Sequence, residues 1–425
     1  MTDFRFLHAA DLHLDSPLVN LDRYDGAPVA EIRGATRQAL DNLVDLAIVE
    51  RVRFVLIAGD LFDGDCRDLN TPLYLRKKME ELGAAKIDVF IVQGNHDAQS
   101  RMKKTFKLQL PANVRLFPTR APGTFELPDL QVAIHGQGFA SEAVVDDLSA
   151  GFPEPRRGWL NIGLLHTTVG GYEGRDNYAP STVEGLIAKG YDYWGLGHSH
   201  TRAVIRDGNP WIVYSGCVQG RHVNEGGAKG CTLVSVEDGR IAAAEPHSLD
   251  VLRWARCSID ASGCSSTRDL TTRAVQEIEK QVAAADGRLL ALRIEISGSC
   301  AAHADIARHP STFTTDLRER TIDRFGTKVW LESVRLRTRA TFDDFDPASG
   351  DLLGSLVAAL SDPEAVRETL AGIREDVDGL RKRIPTDARV PDDTVDPDSP
   401  EALGRLAEDV KQLLIPLLQS GRQES

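Results

Sequence analysis

Five short motifs in the first half of the chain carry side chains that hold divalent cations. They are Asp11-Leu12-His13, Gly59-Asp60-Leu61-Phe62-Asp63, Gly94-Asn95-His96-Asp97, His166 within Leu164-Leu165-His166-Thr167, and Gly197-His198-Ser199-His200. In an extended segment residues i and i+2 point the same way, so Asp11 and His13 can share one ion. The two oxygens of Asp60 can bridge two ions, Asn95 offers a neutral carbonyl oxygen, and His166, His198 and His200 offer imidazole nitrogens. A mixed nitrogen and oxygen set without thiolate suits manganese, iron, cobalt or zinc better than a soft metal; manganese is the ion expected, with magnesium also open. Two such ions about 3.5–4 Å apart clamp a phosphoryl group, activate a water and stabilise a leaving oxygen. The chemistry implied is phosphoester hydrolysis with no covalent enzyme intermediate.

Each motif alone is weak. A D-x-H triplet arises by chance or as a capped turn, and a lone histidine on an apolar strand is usually a core residue, which is the reading for His8 and His135. The argument rests on all five occurring in order, each closing a hydrophobic run. Those runs, at 4–10, 53–58, 88–93, 130–135, 160–166 and 192–197, are short, rich in β-branched or aromatic residues and bounded by Gly, Asp or Asn, as buried strands are. Helical patterns at 33–50 and 72–84 separate the first three, which predicts an α/β layered domain whose strand ends converge on the motifs. Further strands are expected near 211–215, 230–236 and 240–247, closing a catalytic domain at about 250.

Residues 251–340 change pattern. Strand-like runs at 251–259, 289–296 and 329–336 alternate with helical ones at 267–285 and 313–324, predicting a small α+β cap. The tail, 341–425, shows two narrow heptad-like stripes: Val366, Leu370, Ile373, Val377, Leu380 and Ile384, then Leu403, Leu406, Val410, Leu413 and Leu417. A Pro- and Asp-rich linker at 385–399 separates them, and Pro416 should end or kink the second helix.

The formal charge of −13 is unlike that of a free-standing DNA-binding module. It is also unevenly spread. The tail holds 19 acidic and 9 basic residues, a net of −10, which leaves 1–340 at −3. The six cysteines, Cys66, Cys217, Cys231, Cys257, Cys264 and Cys300, form no C-x-x-C pair and are expected as reduced thiols. The start lacks the basic and apolar regions of a signal peptide, and no apolar run approaches the ~20 residues of a membrane span. A soluble, cytoplasmic protein is expected.

The motif order resembles that of the calcineurin-like metallophosphoesterases, and within them the SbcD-type DNA repair exonucleases. The stretch Phe6-Leu7-His8-Ala9-Ala10-Asp11-Leu12-His13-Leu14-Asp15-Ser16-Pro17 narrows the resemblance to the bacterial YhaO-like branch. So do Tyr191-Asp192-Tyr193-Trp194-Gly195-Leu196-Gly197-His198 and Gly220-Arg221-His222. The resemblance is strong over 4–260 and loose over 260–340. It implies a layered sandwich of two central sheets flanked by helices. One metal would sit on Asp11, His13, Asp60 and His200, the second on Asp60, Asn95, His166 and His198. It makes His96 the acid that serves the leaving oxygen, with Asp63 and Asp97 orienting the ligands. Ser215-Gly216-Cys217 departs from the family's Pro-Gly-Asn-like turn.

The function so implied is a DNA exonuclease, with endonuclease activity alongside, in double-strand-break repair near the nucleoid. Its partners would be DNA and an SMC-like coiled-coil ATPase docked on the tail helices, with a homodimer also expected. Arg101, Lys103, Lys104 and Lys107 follow the Gly-Asn-His-Asp loop directly and could bind DNA phosphates. The bland alternative is a solvated helix face. Arg175, Arg202 and Arg221 are further candidates. Two rival functions stay open: a metallophosphoesterase for a small phosphodiester or phosphomonoester, and a DNA-bridging subunit with a vestigial site.

Overall fold

A computed structural model of the chain describes residues 3–16, 26–63, 70–99, 110–170 and 178–340, with scattered positions between 355 and 411. The described residues fall into two compact units. The first lies within Met1–Arg256, Lys280–Arg293 and Phe325–Glu332, the second within Cys257–Glu279, Ile294–Arg324 and Ser333–Ser425.

The first unit is a four-layer sandwich. Its first sheet has the order β12-β11-β1-β2-β3-β4. Here β1 is Phe4–Ala9, β2 Phe54–Ala58, β3 Asp88–Val92, β4 Val114–Leu116, β11 Gly230–Glu237 and β12 Arg240–Ser248. The second sheet has the order β5-β6-β7-β8-β10-β9. It comprises β5 Gly123–Leu127, β6 Val132–Gln137, β7 Leu160–His166, β8 Tyr193–Gly197, β9 Ala203–Arg206 and β10 Trp211–Tyr214. Strands β1 to β4 run parallel, as do β6, β7, β8 and β10.

Period-two alternation sorts the side chains of each inner strand. Phe6, Phe54, Leu56, Phe90, Ile162, Leu164 and Tyr193 fill the layer between the sheets. Leu7, Val55, Ile57, Val89 and Ile91 face the other way, with Leu40, Leu43 and Ala47 of α1 (Val29–Val49) and Leu75 and Met79 of α2 (Asn70–Ala84). Strands buried on both faces read as continuous apolar runs, which is why they stand out in the sequence. The edge strands β4, β5 and β9 escape sequence reading because they are short and half exposed. The run expected at 130–135 starts instead at Val132. A 3₁₀ turn, Pro128–Leu130, and a left-handed Gln131 (φ 54°) occupy the positions before it.

Trp194 shows how tightly the second sheet packs. It is fully buried under α4 (Val183–Ala188), the outer layer on this sheet, where its indole N–H donates to Leu186 O at 3.1 Å; it stacks on Tyr191 at 5.1 Å and lies across from Gly163. A Cβ at Gly163 would fall 2.3 Å from the indole. Gly163→Ala should therefore cost ~1–3 kcal/mol through overpacking, seen as a lower urea midpoint at unchanged slope. An unchanged midpoint would mean the indole can shift freely.

A third sheet has the order β13-β14-β15, from Leu252–Asp260, Leu289–Ser299 and Val329–Arg339. Helix α5 (Thr267–Ala284) connects the first two strands; α6 (His303–Arg308) and α7 (Pro310–Phe325) connect the last two. In the first unit, Trp254 meets Trp330 edge-on at 6.0 Å, and both pack with Ile32 and Ala35 of α1. Arg293 pairs with Glu332. In the second unit, Leu270, Thr271, Ala274 and Ile278 form the buried face of α5. Most of the tail stripes lie outside the described residues. Of those described, 364–369 are helical, and Val366 packs against Ala407. Among the described residues no helix is long and apolar enough to cross a membrane.

Candidate metal centre

The metal-ligating motifs meet where the parallel strands of both sheets end, the edge at which open α/β sheets bind ligands. Asp11 and His13 follow β1, Asp60 and Asp63 follow β2, and Asn95 follows β3 at the start of α3 (Asn95–Gln99). His166 is the last residue of β7, and His198 and His200 follow β8. Four candidate ligands have positive φ: Asp11 (φ 52°), His13 (φ 43°), Asp60 (φ 52°) and His198 (φ 96°). Such conformations are uncommon outside glycine and gather at functional sites, where the surroundings must impose them. Here hydrogen bonds between neighbouring loops do so. Asp11 N–H donates to Gly59 O and His13 N–H to Asp60 O, both at 3.0 Å. Asp97 accepts from the N–H groups of Leu61, Phe62 and Gly94 at 2.9, 3.2 and 3.1 Å, locking the second loop to the third. Gly94 is needed for that approach, since a Cβ there would lie 2.2 Å from Asp60 Oδ1.

The ring nitrogens can be assigned from their partners. His13 Nδ1 lies 2.5 Å from Asp63 Oδ1, and His200 Nδ1 lies 2.7 Å from Glu225 Oε1. Burial works against charge on both carboxylates. The hydrogen bonds from the two histidines, with Arg221 beside them, nonetheless hold each well below the usual carboxylate range. Ionised carboxylates only accept, so both Nδ1 atoms carry the proton. In neutral rings both Nε2 atoms are then bare lone pairs, and they face each other at 3.1 Å. His166 repeats the pattern. Its Nδ1 donates to Ala58 O at 2.9 Å, which turns a bare Nε2 towards Asn95 Oδ1, also at 2.9 Å.

Acceptors converging on acceptors suit a cation. The carboxylates agree. Asp11 and Asp60 are each 1% exposed, and among the described residues neither is ion-paired with a lysine or arginine. Burial pushes the Asp11 carboxyl up to about 6. Burial, with the charges of Asp11 and Asp97 added, pushes Asp60 well above its ordinary value. Asp60 Oδ2 lies 3.8 Å from His13 Nε2 and 3.5 Å from His166 Nε2, between the two groups of ligands. The donor set therefore fits two divalent ions. Asp11, His13 and His200 come together on one side, and Asp11, Asp60 and His166 on the other. The His198 ring lies 5.2 Å from that of His166. A third grouping, His13, Asp63 and His96, is as compact, but an ion there would have to displace the His13–Asp63 hydrogen bond.

His96 stands at the rim. Its side chain is 38% exposed, its Nδ1 lies 3.6 Å from Asp63 Oδ1, and its ring meets that of His13 edge-on. Asp63 and Asp97 are both buried against the ligand loops. Arg221 turns inward on the carboxylates. Arg101, Lys103, Lys104, Lys107 and Arg175 lie outside the described residues. His8 and His135 are core residues, bonded to Tyr193, and to Thr124 and Asn161, respectively. Sequence reading missed Glu225, which orients His200. The available signal was its opposite charge four residues after Arg221, a spacing that means little outside a helix.

Fold and site together define a two-cation phosphoesterase centre. Residues 4–202 match the calcineurin-like phosphoesterase family. Residues 254–339 match the middle domain of metallophosphoesterase YhaO, so the chain matches a calcineurin-like phosphoesterase domain followed by a YhaO-type middle domain. It is 36% identical over 265 residues to the uncharacterized metallophosphoesterase YhaO of Bacillus subtilis (strain 168), covering 62% of this chain and 64% of that one. It is 26% identical over 267 residues to the DNA double-strand break repair protein Mre11 of Sulfurisphaera tokodaii, covering 59% of this chain and 64% of that one. The chain thus spans a little under two thirds of each relative. Calcineurin-like phosphoesterases use a dinuclear divalent metal centre, and the two ligand groups agree with that.

The raised carboxyls give a testable sign. Asp11 moves from an ordinary 3.8 to about 6, so between those values the folded chain binds more protons than the unfolded one. The cation-free fold loses that stability as pH rises through about 6, on the order of 3 kcal/mol for Asp11 alone. A divalent cation replaces the protons. Its stabilising effect in thermal unfolding should be small at pH 4 and reach its full size above pH 6, with protons released on binding near pH 5. A metal effect independent of pH over this range would remove Asp11 and Asp60 from the ligand set.

Proposed function

We propose that this chain is a two-metal-dependent DNA nuclease. It acts as an exonuclease with endonuclease capacity, uses manganese, and works in double-strand-break repair beside an SMC-like ATPase. The observation that carries the reading is the pair of buried, cation-demanding ligand groups that meet at Asp11 and Asp60, with a half-exposed imidazole at their rim. The likeness to Mre11 proteins favours DNA over a small substrate. The mixed oxygen and nitrogen ligands without thiolate suit manganese among other borderline divalent ions. The heptad-like stripes of the acidic tail favour a helical partner.

Bound by these ligands, two divalent cations would supply an activated water and charge neutralisation on the phosphoryl group. The chain's own residues do the rest. Asp63, Glu225 and the Ala58 carbonyl keep the Nε2 lone pairs of His13, His200 and His166 pointed inward. Asp60 N–H and C=O and Asp97 keep the loops from spreading. His96 donates a hydrogen bond to the leaving oxygen and passes it a proton. Burial lowers its pKa, which makes the charged ring a stronger acid.

The test is degradation of end-labelled duplex and single-stranded DNA with manganese, magnesium or chelator. The reading expects manganese-dependent shortening that chelator stops. Hydrolysis of a generic aryl phosphodiester without any DNA cleavage, even with the ATPase added, would point to a small substrate. Inertness towards both would point to a vestigial site.

A further inference from the structure

Arg221 was a candidate for binding DNA phosphate, yet its guanidinium is committed elsewhere. Nη1 donates to both oxygens of Asp63 at 3.2 Å. Nη2 donates to Glu225 Oε1 at 2.9 Å, Nε to Glu225 Oε2 at 3.4 Å, and the Arg221 backbone N–H to the same Oε2 at 2.8 Å. The side chain is only 14% exposed. The oxygens it grips are the ones that matter. Asp63 Oδ1 also receives His13 Nδ1–H, and Glu225 Oε1 also receives His200 Nδ1–H. One guanidinium therefore cross-links the two carboxylates that orient two ligands whose Nε2 atoms converge to 3.1 Å.

We propose that Arg221 is a positioning residue for one metal subsite, holding His13 and His200 through Asp63 and Glu225 as a single rigid clamp. The subsite containing His166 is built differently. There the backbone carbonyl of Ala58 sets the ring, and no side-chain charge is needed. The planar fork of arginine can serve two carboxylates at once, whereas a lysine offers a point charge and can hold one well. The loop that carries Arg221 is itself fixed. Trp254 donates its indole N–H to Gly220 O at 3.0 Å and accepts from Gly227 N–H at 2.9 Å. A Cβ at Gly220 would fall 2.6 Å from Glu225 O, so the loop is packed as tightly as glycine allows.

The inference rests on the two-metal reading of the centre, and the experiment separates the two. Stepwise manganese binding to the full chain is measured by calorimetry and by competition with a fluorescent chelator. The wild type, R221M, R221K, E225Q and N95A are compared. Wild type should bind two ions; if it does not, the reading of the centre fails, whatever the variants do. Given two, R221M should weaken one step 10- to 100-fold, the range for removing a group that orients a ligand, and leave the other unchanged. E225Q should weaken the same step, N95A the other one, and R221K should fall between wild type and R221M. The double variant R221M/E225Q should be no worse than the more impaired single one, since both break one clamp. Equal loss in both steps overturns the proposal. So does intact binding with a raised KM for DNA, which would return Arg221 to the substrate surface. Should R221M fail to fold, a folded R221K decides the matter by the same selective loss or its absence.

Discussion

Asp60→Asn will lower kcat for phosphodiester hydrolysis by on the order of 10⁴-fold, a barrier change of ~5.5 kcal/mol. Asp60 Oδ2 lies within 4 Å of imidazole nitrogens from both ligand groups, the position of a bridging carboxylate. Its buried charge is also costly without a cation. The cation-free variant should consequently be at least as stable as the wild-type chain, while losing the stabilisation that manganese confers on the latter. This pairing of outcomes matters, because it separates loss of the centre from loss of the fold. A variant that kept both its activity and its metal-dependent gain in thermal stability would show that the carboxylate does not bridge.

His96→Ala should lower kcat by ~10²–10⁴-fold, as removal of a general acid does, and leave two ions bound per chain. Its effect should depend on the leaving group. An alkoxide leaving from DNA needs a proton in the transition state, whereas a nitrophenolate does not, so the variant should cleave an activated aryl phosphodiester nearly as well as wild type. His96 shares a compact grouping with His13 and Asp63, which makes the metal count informative. Loss of an ion in the variant would make His96 a ligand. Equal impairment on both substrates would remove its role as an acid.

Much of this architecture is legible in one dimension because the strands that position the site are buried on both faces. Val89, Phe90, Ile91 and Val92, or Leu160 to His166, have no solvent side, so they appear as uninterrupted apolar runs ending at a polar motif. Helices α1 and α2 bury one stripe and expose the rest, which leaves a period in the sequence. Half-exposed edges such as Ala203–Arg206 carry neither signal. Gln131 in the left-handed region shifts a strand start by two residues, and nothing in its type announces that.

The choice of candidate ligands is the part the sequence supplied by itself. Asp11, His13, Asp60, Asn95, His166, His198 and His200 are recognisable because each sits at a fixed offset from its own strand end, and that offset is a local property. Which nitrogen of each ring faces inward, and what holds it there, is a property of space alone. Asp63 reaches His13 across 50 positions, Glu225 reaches His200 across 25, and Arg221 joins both carboxylates by contacts spanning 4 and 158 positions. A basic residue near a metal motif reads as a phosphate contact from its charge. Only the folded loops decide whether that charge meets solvent or a buried pair of carboxylates, because the energy of a guanidinium depends on which acceptors surround it and not on its neighbours in the chain.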